Sequence, residues 1–147
     1  MPDGTEVNIL IVEDDPGHAR LIERNLRRAK ISNEITRVEN GRAALDFVFS
    51  EGGFAGKERP SPLLVLLDLN MPVMDGYQAL ERMKADPRTR QIPVVVLTTT
   101  DDAREVARCY ELGCSVYITK PVNYDSFCRA VQQVGLFFSI VTVPDGE

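Results

Sequence analysis

The chain has 147 residues, 44% of them hydrophobic, and a formal net charge of -5, which suits one soluble domain around a single core. The acidic balance argues against wrapping nucleic acid, the polar start Met1-Pro2-Asp3-Gly4-Thr5-Glu6 is no secretory signal, and no apolar run approaches membrane-spanning length. Cys109, Cys114 and Cys128 lack a metal-ligand spacing and read as reduced thiols of a cytoplasmic protein.

Val7-Asn8-Ile9-Leu10-Ile11-Val12 reads as a first buried strand, and it runs into Glu13-Asp14-Asp15-Pro16. Asp15 is a good N-cap and Pro16 suits the first helical position, so a helix is expected from there through Lys30. Ala19, Leu21, Ile22, Leu26 and Ala29 give its apolar spacing, and His18 in its first turn is expected to be exposed. Capping needs one acid. Glu13 and Asp14 remain as adjacent negative charges at the end of a core strand, an arrangement that repels itself unless a cation is present.

A weaker strand covers Ile35-Thr36-Arg37-Val38, and a helix carrying Ala43, Ala44, Leu45, Phe47, Val48 and Phe49 follows Gly41. The polar stretch from Ser50 to Pro62 is rich in glycine and proline. It reads as a surface insertion, with a partner-contact surface as the alternative. Leu63-Leu64-Val65-Leu66-Leu67 is a strand buried on both faces, ending at Asp68 and the turn Leu69-Asn70-Met71-Pro72. A helix is expected from about Asp75 to Ala85, ended by Asp86-Pro87. Val94-Val95-Val96-Leu97 is a further apolar strand leading to Thr98, and a helix spans about Asp102 to Leu112 and stops at Gly113. Ser115-Val116-Tyr117-Ile118 forms a last strand before Thr119-Lys120-Pro121, and a final helix starts near Asn123 or Asp125. Cys109 and Cys128 fall on helices, where each packs as a small apolar residue. Five strands, each followed by a helix, predict a parallel sheet with helices on both faces.

In such a sheet the carboxyl ends of the strands lie along one edge, where ligands bind. Here they carry Glu13 and Asp14, Asp68, Thr98 and Lys120. Three acids gathered there call for a hard cation, and oxygen ligands with room for water suit Mg²⁺. Asp14 and Asp68 would bind it directly, with the backbone carbonyl of Asn70 as a third ligand and Glu13 acting through water. An aspartate beside a metal can attack phosphorus and form an aspartyl-phosphate. Lys120 would offer a positive charge to the phosphoryl oxygens and Thr98 a hydroxyl donor. Each residue alone has a plain structural use; their convergence on one edge is what points to chemistry.

These residues resemble those of a receiver domain of a two-component response regulator. The pieces that carry the resemblance are Ile11-Val12-Glu13-Asp14-Asp15, Leu67-Asp68-Leu69-Asn70-Met71-Pro72 with Met74-Asp75-Gly76, Val96-Leu97-Thr98, and Thr119-Lys120-Pro121. The resemblance spans about residues 7–141 of a single receiver domain over 1–147 with no effector domain. It implies a flavodoxin-like (CheY-like) doubly wound five-stranded sheet with strand order 2-1-3-4-5. It further implies Asp68 as the phosphoacceptor from a histidine kinase and Mg²⁺ at Asp14, Asp68 and the Asn70 carbonyl. Thr98 and Lys120 are then the switch and phosphate-binding residues, and Tyr117 is the aromatic that turns inward when Thr98 moves toward the phosphate. Glu13 stands where many members have aspartate. More narrowly, the Asp15-Pro16 helix start, the Phe54-to-Pro62 insertion, Tyr117-Ile118-Thr119-Lys120-Pro121-Val122 and the tail from Phe137 to Pro144 are similar to single-domain regulators paired with phytochrome kinases.

The tail residues Leu136, Phe137, Phe138, Ile140, Val141 and Val143 exceed what one buried helical face requires. They predict a homodimer through the last helix and tail; the acidic balance and the lack of a spanning run predict no nucleic-acid or membrane partner. The rival readings are a receiver serving a non-phytochrome kinase or phosphorelay, an aspartyl-phosphate phosphatase, and a flavin-binding module of the same fold. The phosphatase would want an aspartate where Asn70 stands. The flavin module would want a phosphate-cradling loop where Glu13-Asp14-Asp15 would repel phosphate.

Overall fold

The computed structural model describes residues 8–28, 34–60, 63–69, 76–98 and 102–119. Five parallel strands lie in the order β2-β1-β3-β4-β5: β1 is Asn8–Val12, β2 Ile35–Val38, β3 Leu63–Asp68, β4 Val94–Thr98 and β5 Val116–Thr119. The expected doubly wound topology is the one observed. Between the strands run α1 (Pro16–Arg28), α2 (Gly41–Phe49), α3 (Gly76–Ala85) and α4 (Ala103–Glu111). The final helix and the apolar tail expected from the sequence lie outside the described residues.

Strand alternation divides the core in two. Leu10 and Val12, Leu63, Val65 and Leu67, and Val94 and Val96 pack with Leu45 and Val48 of α2 and with Leu80 and Met83 of α3. Ile9 and Ile11, Leu64 and Leu66, and Val95 and Leu97 face the other way, onto Ile22 and Leu26 of α1. Both faces of β3 are therefore covered, which explains its unbroken run of aliphatic residues.

The helix ends follow local chemistry. Asp15 Oδ1 accepts from the Gly17 and His18 N–H groups at the start of α1, as its capping role requires. Asn40 accepts from Ala43 N at 2.8 Å and Asp102 from Arg104 N at 2.8 Å. The end of α4 passes through Gly113 at φ 107, where a side chain would be strained. One expectation shifts by a small amount: β5 runs Val116–Thr119 rather than 115–118. The helix expected from about Asp75 is described from Gly76 to Ala85, and Asp75 lies outside the described residues. Leu21, expected among the buried positions of α1, is 37% exposed.

The insertion after α2 is anchored rather than loose over residues 50–60. Gly52–Phe54 form a 3₁₀ turn, the Phe54 ring meets Phe47 edge-on at 5.1 Å, and an Arg59 guanidinium N–H donates to the Val48 carbonyl. Cys109 and Cys114 are buried free thiols. Burial pushes Cys114 up to about 12 and raises Cys109, so both stay protonated and serve packing. Among the described residues no helix is long and apolar enough to cross a membrane.

Candidate functional site

The strand register brings the acids together. Val12 stands opposite Leu67, so the next residues, Glu13 and Asp68, are neighbours where β1 and β3 end. The Glu13 N–H still donates to the Val38 carbonyl at 3.1 Å, carrying the β1–β2 pairing one residue beyond the strand. By alternation Glu13 continues the row of Ile9 and Ile11, and Asp68 that of Leu64 and Leu66, the row that faces α1.

Glu13 and Asp68 are each 1% exposed, whereas Asp14 reaches solvent. One carboxylate oxygen from each of Glu13, Asp14 and Asp68 lies within 4.8 Å of the others. Two buried negative groups and a third at the rim repel one another, and a cation relieves that repulsion. The donor set is oxygen only and part of it faces water, which fits a hard divalent cation. Asp68 is the last residue of β3 and the buried member of the cluster that this strand contributes.

The remaining expected site residues stand as follows. Thr98 ends β4, one residue beyond the Asp68–Leu97 pair and opposite Thr119; its side chain lies outside the described set. Asn70 and Lys120 also fall outside the described residues. Tyr117 is half-buried on β5 and packs against the core on the α2–α3 side.

Three residues serve the cluster without having been assigned a role from the sequence. His18 is not exposed, as expected, but half-buried, because it lies one and two turns before Ile22 and Leu26 on the inward row of α1. Its Nδ1 is 2.7 Å from Glu13 Oε1. A carboxylate only accepts, so Nδ1 carries the hydrogen and donates. Arg37 of β2 donates through Nε to the Glu13 carbonyl at 3.0 Å and through Nη2 to the Asp14 carbonyl at 3.1 Å. Gly76 holds the other side: its N–H donates to the Leu69 carbonyl at 3.0 Å. A Cβ at Gly76 would lie 2.5 Å from the Asp68 carbonyl oxygen and 2.6 Å from Leu69 Cα. The signal for His18 was its four-residue spacing to Ile22, and that for Gly76 its place in Met74-Asp75-Gly76 a few residues after Asp68; Arg37 acts through contacts 23 and 24 residues away.

Comparison with known proteins agrees with this geometry. Residues 9–132 match the family described as "Response regulator receiver domain". The response regulator Rcp1 of Synechocystis sp. is 37% identical over 137 residues, 92% of each chain. A structure of its Mn²⁺-bound form covers 94% of this chain and 99% of that one, with TM-score 0.74. A response regulator receiver domain from Rhodospirillum rubrum is 53% identical, covering 95% of this chain and 99% of that one with TM-score 0.72. The bacteriophytochrome response regulator RtBRR is 37% identical, covering 94% and 83% with TM-score 0.83. The chain belongs to the response regulator receiver family, a class of phosphoacceptor domains rather than free-standing catalysts, and Glu13, Asp14 and Asp68 are its candidate acidic centre.

Proposed function

We propose that Asp68 accepts a phosphoryl group from a sensor histidine kinase, with Mg²⁺ held at Asp14, Asp68 and the Asn70 carbonyl and Glu13 reaching it through water. The observation that carries this reading is the meeting of three carboxylates at the ends of β1 and β3. That Rcp1 is described in a Mn²⁺-bound form supports the reading that this chain takes a divalent cation. Bound there, the metal would neutralise charge on the transferring phosphoryl oxygens.

In the transfer, an Asp68 carboxylate oxygen forms a bond to phosphorus. The bond from phosphorus to the kinase's histidine nitrogen breaks, and its electron pair stays on that nitrogen. The product is an acyl phosphate on Asp68. Thr98 donates a hydroxyl hydrogen bond and Lys120 a positive charge to the new phosphoryl oxygens. The added charge draws Thr98 inward and lets Tyr117 follow, a shift between two pre-existing states that is read by protein partners.

The kinase is a phytochrome, a reading supported by the bacteriophytochrome regulator among the similar structures. The protein acts in the cytoplasm as a homodimer through its last helix and tail. It contacts neither nucleic acid nor membrane.

The test is phosphotransfer from a bacteriophytochrome kinase, with Mg²⁺, to wild type and Asp68→Asn. Label on wild type alone is expected. Labelling by a small phosphodonor but not by this kinase would assign the receiver to a different kinase, and no labelling from either source would overturn the mechanism.

A further inference from the structure

The geometry points to His18 as a positioning residue that fixes the Glu13 carboxylate and thereby sets the affinity of the acidic centre for a divalent cation. The inference rests on the metal-binding part of the proposed function.

Glutamate at position 13 raises a problem that an aspartate would not. The extra methylene puts the carboxylate on a longer, more mobile arm, and an arm free to swing presents its oxygens to a cation only part of the time. Here both oxygens are held. Oε1 takes the His18 Nδ1 hydrogen at 2.7 Å and Oε2 takes the Asp15 N–H at 3.2 Å. Each oxygen has a second lone pair, so these two bonds alone do not exhaust the carboxylate's capacity to accept. The side chain of Glu13 is 1% exposed and that of His18 15%, so water competes poorly for this bond. His18 is itself fixed, since α1 is docked through Ile22 and Leu26 on the same row. Its Nε2 is buried without a hydrogen-bond partner among the described residues, which leaves the bond to Glu13 as the polar contact that accounts for an imidazole here. His18 does not join the three carboxylates in the cluster of ligand atoms. Its effect must therefore pass through Glu13.

Groups that hold a metal ligand from outside typically change metal affinity about 10–100-fold when removed. The chain has no tryptophan, so binding is best read from the electron paramagnetic resonance signal of free Mn²⁺, with Mg²⁺ measured by competition. The variants are His18→Leu, which removes the donor, and His18→Asn, whose amide nitrogen can stand near the Nδ1 position. His18→Leu should weaken Mn²⁺ and Mg²⁺ binding about ten-fold, and His18→Asn should restore most of it. In a Glu13→Asp background the shorter arm no longer reaches His18, so His18→Leu should then change affinity by less than about two-fold, a null coupling in the sense of a double-mutant cycle. Circular dichroism of the metal-free variants separates loss of fold from loss of affinity. Equal affinity in wild type and His18→Leu would overturn the inference. So would tighter binding in His18→Leu, equal loss in the Leu and Asn variants, or an undiminished loss in the Glu13→Asp background. Failure of wild type itself to bind either ion would instead remove the metal-binding part of the proposed function.

Discussion

Two edges of the sheet bury polar groups, and they do so in opposite ways. At the amino edge of β4, Thr89 is fully buried and its hydroxyl donates to the Met83 carbonyl at 2.6 Å. Lys84 reaches over the same loop to the Arg90 and Ile92 carbonyls. The Thr89 hydroxyl gives the open end of α3 a donor and the Lys84 ammonium donates to neutral carbonyls of the loop, and burial lowers the Lys84 pKa. At the carboxyl edge, Glu13 and Asp68 are equally buried, but beside a third carboxylate. The first arrangement closes a helix; the second gathers more like charges than capping the start of α1 requires. Burial alone therefore does not mark a site. Three carboxylates converging on one point do.

The largest effect expected is at the residue that joins structure to chemistry. Gly76→Ala would drive a Cβ to 2.5 Å from the Asp68 carbonyl oxygen and 2.6 Å from Leu69 Cα, backbone atoms that move only with the strand end itself. Overpacking of this kind costs about 1–3 kcal/mol, and here it also displaces Asp68, the proposed acceptor. Urea unfolding should show the loss, and labelling by a small phosphodonor should fall at least ten-fold. Normal labelling in a destabilised variant would mean that Gly76 packs without positioning Asp68.

Thr89→Val separates the two edges. It leaves the Met83 carbonyl without its buried donor, at a cost of about 1–3 kcal/mol. Metal binding to the native state alone adds stability by mass action, about 2.7 kcal/mol at a concentration 100 times the dissociation constant. The increment that saturating Mg²⁺ adds should be the same in Thr89→Val as in wild type. Along β3, Asp68 lies three residues past Val65, which faces the start of β4 at Val94, a separation of about 10 Å before the loop to Thr89 is counted. Sites this far apart without shared partners behave additively. A Mg²⁺ increment that shrinks with Thr89→Val would show the two edges to be coupled through β3.

The same contrast governs what was legible in the sequence. Runs such as Leu63–Leu67 and Val94–Leu97 declare buried parallel strands, and the acids that end β1 and β3 stand out because nothing apolar can substitute for them. The register that sets Glu13 beside Asp68 follows from those strands once their order is known. What could not be read was support from across the fold. Arg37 looked like a polar residue on a weak strand, yet it holds two carbonyls of the acidic loop. His18 was legible in principle, since the spacing His18, Ile22, Leu26 marks one face. A polar residue in a first turn nonetheless defaults to solvent unless its partner is known. Leu21 erred the other way: apolar character suggested burial, but its position on the helix turns it outward.

The smallest effect expected belongs to the loop at the amino edge. The Arg88 guanidinium donates to both Asp86 oxygens, at 3.1 and 2.9 Å, and the Arg88 N–H donates to one of them at 2.8 Å. The side-chain bonds are the larger cause and the backbone bond the second, and together they hold Asp86 down to about 2 against an ordinary 3.8. A carboxyl depressed on folding contributes stability that is fully present above its ordinary value and drains away as pH falls from there through 2. Because the pair is open to water, the amount is small and salt weakens it. Arg88→Ala removes the larger cause and keeps the backbone bond, so the Asp86 carboxyl, followed by carbon-13 NMR, should titrate well above 2 but still below 3.8. The same substitution should leave the Mg²⁺ increment at neutral pH untouched. An unmoved midpoint would assign the shift to the backbone turn alone, whereas a changed increment would carry charge from this loop to the opposite edge and make the acidic centre sensitive to the whole sheet.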